Sequence, residues 1–370
     1  MSGIYIHIPF CSSFCINCDF YSITDCSKGD RYISALEKEI IRRKNYIRES
    51  PKTIYIGGGT PSLLSPGQLD KLVCSLHRNF SLQELEEFTV EVNPDDISRD
   101  YVSVLKSLGV NRVSMGVQSF DDRNLKWMRR RHTSGDAYRA YQILRDGGIG
   151  NISMDLIFGY TADGISPQEA LNIWIRDVMS MMELRPEHIS AYQMSIEPGS
   201  LLAMKKGYQE PPQELCEEEY YKMLDLLEGG GYSQYEISNF SLPGFRSKHN
   251  SSYWDRTPYL GLGAAAHSFD GSSRSWNPED IDKYIEEVDN GFGEDFIEHL
   301  SPVEALEEKI MLGLRKREGV VFSDEEYLKL LPRIEKLAKQ GYLIHNPGSK
   351  HIVLPSSMQF ISDSIISKLI

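Results

Sequence analysis

Residues 5–18 have the sequence Tyr5-Ile-His-Ile-Pro-Phe-Cys11-Ser-Ser-Phe-Cys15-Ile-Asn-Cys18. The stretch begins as a β-rich run and passes directly into three cysteines with the spacing C-x3-C-x2-C. Half of the six cysteines of the chain lie in this one short segment. Because disulfides are rare in a reducing compartment, cysteines clustered there usually bind metal or take part in chemistry.

The three cysteines can bind three irons of a [4Fe–4S] cluster and leave the fourth iron without a protein ligand. Such an open position is needed wherever a small molecule must bind the cluster. A structural zinc site is the main alternative, with Cys26 or His7 as the fourth ligand. Zinc sites usually combine two C-x2-C-like knuckles, however, and the sequence has no second one. A chance grouping is the remaining alternative, and the close spacing favours the cluster.

Strands and helices alternate through the first half of the chain. Runs rich in Val, Ile, Tyr and Phe predict strands, and amphipathic stretches such as Asp30–Ile47, with Asp30 as its N-cap, predict helices. The predicted strands are Ile4–Ile8, Thr53–Ile56, Phe88–Val92, Arg112–Val117, Ile152–Phe158 and Ile189–Ser195. These six units indicate an α/β fold with a parallel sheet, either an open doubly wound sheet or a partial (β/α)6 barrel.

Five short motifs lie at the ends of these strands, namely IHIPFC, GGGTP, EVNP, GVQSF and DLIFG. Both architectures bind their ligands at the carboxyl ends of parallel strands. Glycines in such a position allow the backbone to approach a ligand closely. The sequence therefore predicts that the five motifs contribute to one site.

The chain divides into three predicted regions, 1–205, 206–300 and 301–370. Residues 206–300 have few clear periods and predict loops and short strands that lie against the core. Residues 301–370 begin with Ser301-Pro302-Val303-Glu304, which has the pattern of a capping box with proline at the first helical position. Two helices and a terminal strand then predict a small helical, winged-helix-like domain.

Composition limits the classes of function. The 370 residues are 41% hydrophobic and 25% charged, as in a soluble globular protein. The formal net charge of -13 argues against non-specific binding to nucleic acid or anionic lipid. No apolar run has the length of a membrane span, and the N-terminal sequence lacks the pattern of a secretory signal. We therefore expect a cytoplasmic protein without a membrane span.

A C-x3-C-x2-C loop directly after a first strand resembles the radical-SAM superfamily. The resemblance implies that S-adenosylmethionine (SAM) chelates the open iron and that the reduced cluster cleaves it to a 5′-deoxyadenosyl radical. It also implies a full or partial (β/α) barrel, which agrees with the six strand–helix units.

The wider string YIHIPFC resembles the oxygen-independent coproporphyrinogen III oxidase-like family within this superfamily. Some of the matching positions have simpler explanations: Glu91 and Asp155 could cap helices, and Arg130 could be one of three solvated arginines. Their order at successive strand ends favours a role in cofactor binding. Carried over by position, the resemblance implies SAM contacts from Tyr5, Gly58, Gly59, Thr60, Glu91, Gln118, Arg130 and Asp155.

Two features indicate the HemW-type branch of this family. Phe20 stands where the oxidases carry a further cysteine, and no arm precedes the first strand. The sequence His249-Asn-Ser-Ser-Tyr253-Trp254 resembles the HNxxYW motif of that branch. The resemblance implies His249 as a haem ligand beside the flat faces of Tyr253 and Trp254, and ordinary packing is the alternative. His267 is a second candidate ligand, for which we expect close packing beside small residues.

The resemblance implies three candidate functions. The first is a HemW-type haem chaperone that passes haem to apo-haem proteins of the respiratory chain. A homodimer and transient membrane contact are compatible with this function. The second is an enzyme that oxidatively decarboxylates two propionates of coproporphyrinogen III, and the missing cysteine and arm count against it. The third is a radical-SAM enzyme with an unrelated substrate. We expect the chaperone, with a [4Fe–4S] cluster, SAM and haem as its cofactors.

Overall fold

The structure is a computed structural model that describes residues 2–291 and 297–370. Six parallel strands lie side by side in chain order at its centre. Because the order never reverses, as it would in a doubly wound sheet, these strands form the wall of a partial barrel. They are β1 (Gly3–Ile8), β2 (Thr53–Gly58), β3 (Glu87–Val92), β4 (Arg112–Gln118), β5 (Ile152–Phe158) and β6 (His188–Gln193).

Helices connect the strands and cover the outer face of the sheet. They are α1 (Gly29–Arg43), α2 (Pro66–Asn79), α3 (Arg99–Ser107), α4 (Asp122–Trp127), α5 (Ser134–Asp146) and α6 (Pro167–Leu184). The predicted N-cap of the first helix is wrong. Lys28 occupies the cap position of α1 and Asp30 lies in its first turn, because a short 3-10 turn at Cys26–Lys28 leads directly into the helix.

The inner and outer faces of the barrel wall differ in polarity. Side chains alternate across a strand, so β1 buries Ile4, Ile6 and Ile8 in the apolar core, while Tyr5 and His7 lie on the opposite face. The same inner face continues across the sheet through residues in register with these two. Its polar members include Glu91, Arg112, Ser114, Asp155, His188 and Ser190.

The middle region, residues 206–300, does not only lie against the core as predicted. Its strands also extend this sheet at both edges. Its elements are α7 (Gln213–Gly229), β7 (Ser233–Glu236), β8 (Asn239–Ser241), α8 (Lys248–Trp254), β9 (Tyr259–Leu262), β10 (His267–Phe269), β11 (Ser273–Trp276), α9 (Ile281–Asn290) and β12 (Ile297–His299). Strand β9 pairs parallel with β1, and β8 pairs antiparallel with β6.

The C-terminal residues have an apolar core of their own, which includes Leu314, Ile334 and Ile352. Their elements are α10 (Pro302–Arg315), β13 (Val320–Val321), α11 (Asp324–Lys339), β14 (Ile344–Asn346), β15 (His351–Val353) and α12 (Ser362–Leu369). The capping box at Ser301 is present. This helical unit with a small sheet agrees with the predicted class, and the boundaries at 205 and 300 stay predictions. No helix in the described ranges is long and apolar enough to cross a bilayer.

Candidate cluster and cofactor site

The loop that carries the three cysteines leaves the carboxyl end of β1 and is held closed by backbone hydrogen bonds. Cys11 N donates to Ile23 O at 2.9 Å, and Ile23 N donates to Pro9 O at 2.7 Å. In the middle of the loop, Ile16 N donates to Met128 O at 3.2 Å. The loop is therefore tied to its own ends and to the segment after α4, which fixes it over the mouth of the barrel.

The three thiols differ in environment. Cys11 is buried, and its Sγ lies 3.5 Å from Thr60 Oγ1; Cys15 and Cys18 are partly exposed. Burial, with a smaller contribution from the neighbouring thiols, raises the pKa of the Cys18 thiol to about 11. Arg130 Nη1 donates to Cys15 Sγ at 3.2 Å. Within the described ranges, no three His, Cys, Asp or Glu side chains are arranged to hold a metal ion. The cluster assignment thus depends on the motif and on family.

The glycines after β2 are required by close backbone contacts. A Cβ on Gly59 would lie 2.7 Å from Phe10 O and 3.0 Å from Cys11 Sγ. Gly58 has a φ of 110°, and a Cβ there would lie 2.7 Å from the His7 ring. Only glycine fits these positions. The motif therefore brings bare backbone against the cysteine loop.

Glu91 lies on the inner face of β3 and binds this glycine backbone. Its carboxylate accepts hydrogen bonds from Tyr55 Oη at 2.7 Å and from Gly58 N at 3.1 Å. Burial raises the pKa of Glu91 to about 7, and repulsion from Asp155 adds to the rise, while Arg112 opposes it. Glu91 is part of a strand and caps no helix.

Of the three consecutive arginines, Arg130 contacts a cysteine of the loop through its side chain. Besides Cys15 Sγ, its guanidinium donates to Asn93 Oδ1 at 2.6 Å and to Gly116 O at 2.8 Å. Arg131 instead forms ion pairs with Asp95 and Asp96. The side chain of Arg130 thus joins the ends of β3 and β4 to the loop.

Gln118 and Asp155 present buried acceptors without partners. Gln118 ends β4 with a φ of 70°, and its Oε1 has no hydrogen-bond partner among the described residues. Asp155 Oδ1, in the middle of β5, has none there either. Burial raises the pKa of Asp155 to about 6, although nearby serines and Arg112 oppose the rise. Since buried acceptors are normally satisfied, these two suit a ligand that donates hydrogen bonds.

The predicted haem ligand His249 is buried beneath this site. Its Nδ1 lies 2.8 Å from Thr53 Oγ1, its Nε2 lies 2.8 Å from Tyr253 Oη, and its ring stacks on Tyr55 with centroids 5.1 Å apart. Burial lowers its pKa to about 3, with Arg112 adding to the effect. The ring is therefore neutral, but in this arrangement both nitrogens are engaged and neither can reach an iron.

The other members of the predicted haem environment are more open. Tyr253 and Trp254 are half-buried. The expectation that His267 packs closely is wrong: its ring is exposed and stacks on Trp276 with centroids 5.9 Å apart. The backbone of His267, and not its side chain, packs closely beside a small residue, since a Cβ on Gly261 would lie 1.9 Å from His267 O.

The sequence analysis assigned no role to three residues of the site, although Asn93 belongs to the EVNP motif. Tyr55 and Asn93 contact Glu91 and Arg130 respectively, and Arg112 is a fully buried guanidinium whose Nε and Nη1 have no partner in the described part of the chain. Arg112 is the first residue of the predicted strand Arg112–Val117. Strand alternation could have found Tyr55 and Arg112, because both lie on the inner, polar face of their strands, whereas Asn93 directly follows β3.

Comparison with known proteins agrees with this architecture. The Radical SAM superfamily model matches residues 5–167. The solved structure of the Escherichia coli radical-SAM enzyme coproporphyrinogen III oxidase (HemN) superposes with a TM-score of 0.83. That match covers 100% of this chain and 89% of HemN at 22% identity, so the two share a fold. Fold and cysteine loop together define a protein of the radical-SAM class.

Curated relatives narrow the class. The heme chaperone HemW of Bacillus subtilis (strain 168) is 39% identical over 366 residues, which is 94% of each chain. The heme chaperone HemW of Escherichia coli (strain K12) is 35% identical over 270 residues, covering 72% of this chain and 69% of that protein. A radical S-adenosyl methionine domain-containing protein of Bos taurus is 30% identical over 334 residues, 86% of this chain and 74% of that one. The chain belongs to the HemW family.

Membership of the radical-SAM class implies a [4Fe–4S] cluster and SAM, which together supply one-electron chemistry when bound. The residues present fit these groups. Three thiols on one closed loop can hold the cluster. The glycine backbone at Gly58 and Gly59 lies against that loop, and the unpartnered acceptors of Gln118 and Asp155 can take hydrogen bonds from SAM.

Proposed function

We propose that the protein is a haem chaperone that carries a SAM-liganded [4Fe–4S] cluster and delivers haem to apo-haem proteins of the respiratory chain. The observation that carries the proposal is the 39% identity, along 94% of both chains, to a relative named heme chaperone. Phe20, two residues after Cys18, supports it, because by the resemblance an oxidase has a cysteine there. A cytoplasmic location, a homodimer and transient membrane contact stay predictions.

The residues around the cysteine loop would have defined tasks in such a protein. Cys11, Cys15 and Cys18 would hold the cluster, and the Arg130 guanidinium would stabilise charge on it through Cys15 Sγ. Glu91 would hold the glycine backbone in place through its hydrogen bond from Gly58 N. These tasks require no turnover of SAM, so they suit a carrier as well as an enzyme.

Haem ligation by His249 requires a change of conformation. The imidazole would have to leave Thr53 and Tyr253 and reach the surface, which costs two buried hydrogen bonds of about 1 kcal/mol each. If the ring stays buried, its contact with Tyr55 makes His249 a support for Glu91. The two roles predict different defects in a His249 variant, since one concerns haem and the other SAM.

A radical-SAM oxidase of coproporphyrinogen III is the second candidate. The fold shared with HemN favours this second candidate, because the two structures superpose over the whole of this chain with a TM-score of 0.83. Phe20 counts against it.

The test uses full-length protein reconstituted anaerobically with iron and sulfide. One assay titrates haem and follows the Soret band in the wild type, in His249→Ala and in His77→Ala, a matched control with an exposed histidine on α2. The other supplies SAM, a reductant and coproporphyrinogen III and measures protoporphyrinogen.

Stoichiometric haem binding without porphyrin turnover, together with transfer to an apo-cytochrome, is the expected result. Loss of the Soret band in His249→Ala alone would identify the ligand, whereas weaker SAM binding with an intact Soret band would identify a support. A wild type that binds no haem, or that forms protoporphyrinogen, would refute the chaperone.

A further inference from the structure

A cavity of about 640 Å³ lies beside the cysteine loop and takes no part in the site described above. Helix α4 and Arg129 after it supply one part of the lining, the segment around Leu201 supplies another, and Ile16 of the cysteine loop also lines the cavity. This volume falls within the range of pockets that bind small molecules and cofactors.

The cavity has the opposite charge to the rest of the protein. The chain has a formal net charge of -13, yet four cations and a single carboxylate line this cavity. Arg123 pairs with Asp121 and Glu169, and Lys205 pairs with Asp163. The remaining two cations, Lys126 and Arg129, form no ion pair within the described ranges. The surface therefore offers two cations to an anionic ligand.

Apolar side chains line the cavity together with the cations. Trp127 stacks on Tyr160 with ring centroids 5.3 Å apart and planes 7° from parallel, so its indole is held firmly. Leu201 and Met204 line the same cavity, and Met204 is 67% exposed. An aromatic ring that lines one cavity together with aliphatic and thioether groups suits a broad, apolar ligand.

The cavity is connected mechanically to the cysteine loop. Ile16 N donates to Met128 O at 3.2 Å, and Leu202 N donates to Ile16 O at 2.7 Å. Each wall of the cavity is thus bonded to the same residue, which lies between Cys15 and Cys18. A ligand that moved either wall would displace the loop that carries the thiols.

We propose that this cavity is the binding site of an iron porphyrin dicarboxylate, with its ring against Trp127 and Met204 and its carboxylates paired with Lys126 and Arg129. The inference rests on the proposed function and assigns it a place in the molecule. The ring would bury apolar surface while both carboxylates stay at the cationic rim. The site is separate from the buried His249 ring, which lies beside Thr53 at the amino end of β2.

The test is a haem titration of the reconstituted full-length protein in two charge-reversal variants. Lys126→Glu/Arg129→Glu removes the two unpaired cations of the cavity. Lys329→Glu/Lys336→Glu makes the same change of formal charge on the exposed face of α11, in the C-terminal region. Iron content and circular dichroism of both variants are measured first, so that only folded, cluster-containing protein is compared.

The expected result is haem binding weakened about tenfold or more in Lys126→Glu/Arg129→Glu and unchanged in the control. Haem affinity of the wild type and the control should also fall as salt is raised, and that of the cavity variant should fall less. The dimethyl ester of haem, which lacks the carboxylates, should bind the wild type and the cavity variant equally.

Three results would overturn the inference. If the wild type binds haem and the cavity variant binds it equally well, the site is elsewhere, while the chaperone function stands. If the cavity variant keeps its haem affinity but is no longer reduced by an acidic electron-carrier protein, the cavity is a protein docking surface. If the wild type binds no haem, the proposed function fails together with this site.

Discussion

Replacement of Glu91 by glutamine tests the electrostatics of the predicted SAM site. In the ligand-free protein, burial raises the pKa of Glu91 to about 7, so the carboxylate is only partly ionised near neutral pH. The ionised fraction rises from about 0.1 at pH 6 to about 0.9 at pH 8. If SAM, with its sulfonium charge, is bound by the ionised form, its affinity should rise about tenfold over this interval.

Glu91→Gln keeps the shape of the side chain and removes the charge. Hydrogen bonds to charged groups are worth about 1.5–3 kcal/mol, so SAM affinity at pH 8 should fall roughly ten- to hundredfold. Its dependence on pH should also flatten. The comparison of the two proteins cancels any titration of SAM itself, because both are measured with the same ligand.

The assay is calorimetric titration of SAM into reconstituted protein at pH 6, 7 and 8. Glu236→Gln is the matched control, since burial also raises the pKa of this β7 carboxyl to about 7 and it lies at the far edge of the sheet. The control should keep the full slope. A wild-type affinity that does not change with pH, or a Glu91→Gln protein with the wild-type slope, would refute the reasoning.

Three further predictions concern the cysteine loop and stability. Gly59→Ala should lower the iron bound per chain, because the new Cβ would lie 3.0 Å from the Cys11 thiol. Gly67→Ala is the control and should leave the iron content unchanged, because the space around Gly67 is open. Iron and sulfide analysis of both variants measures this difference. Arg130→Gln should make the reduction potential of the cluster more negative by on the order of 50 mV, because a positive charge beside Cys15 Sγ is lost. A redox titration followed by electron paramagnetic resonance measures the potential, and an unchanged value would contradict this prediction. Burial raises the pKa of Asp177 to about 7, so the folded state holds a proton that the unfolded state releases: its stabilisation is complete at low pH and is lost as pH rises through 7. Urea unfolding of the cluster-free protein between pH 5 and 8 should show a loss of about 3 kcal/mol from this group, and Asp177→Asn should remove that part of the pH dependence.

Much of the fold could be predicted because its signals are local. Each predicted central strand matches an observed strand to within two residues at either end, from β1 at Gly3–Ile8 to β6 at His188–Gln193. Alternation of apolar and polar side chains is a property of consecutive residues, so it can be recognised before the chain folds. The choice between an open sheet and a barrel needed the strand order, which no local pattern contains.

The candidate site divides in the same way. The C-x3-C-x2-C spacing and the glycines at 57–59 can be recognised by eye, because each group of residues is contiguous. Tyr55 and Arg112 were missed, since their importance comes from which distant carboxyls and rings they face across the inner wall. A sequence lists neighbours along the chain, whereas hydrogen bonds and Coulomb interactions depend on neighbours in space.

By itself, the sequence determined the loop of three thiols, the order of the strands along the chain and the polarity of each strand face. Only the tertiary structure decided that the His249 ring is enclosed, that His267 is exposed, and that Lys126 and Arg129 line one cavity together with Met204. The physical reason is that burial and the field of surrounding charges are set by the packing of segments far apart in the chain, and residue type alone fixes neither.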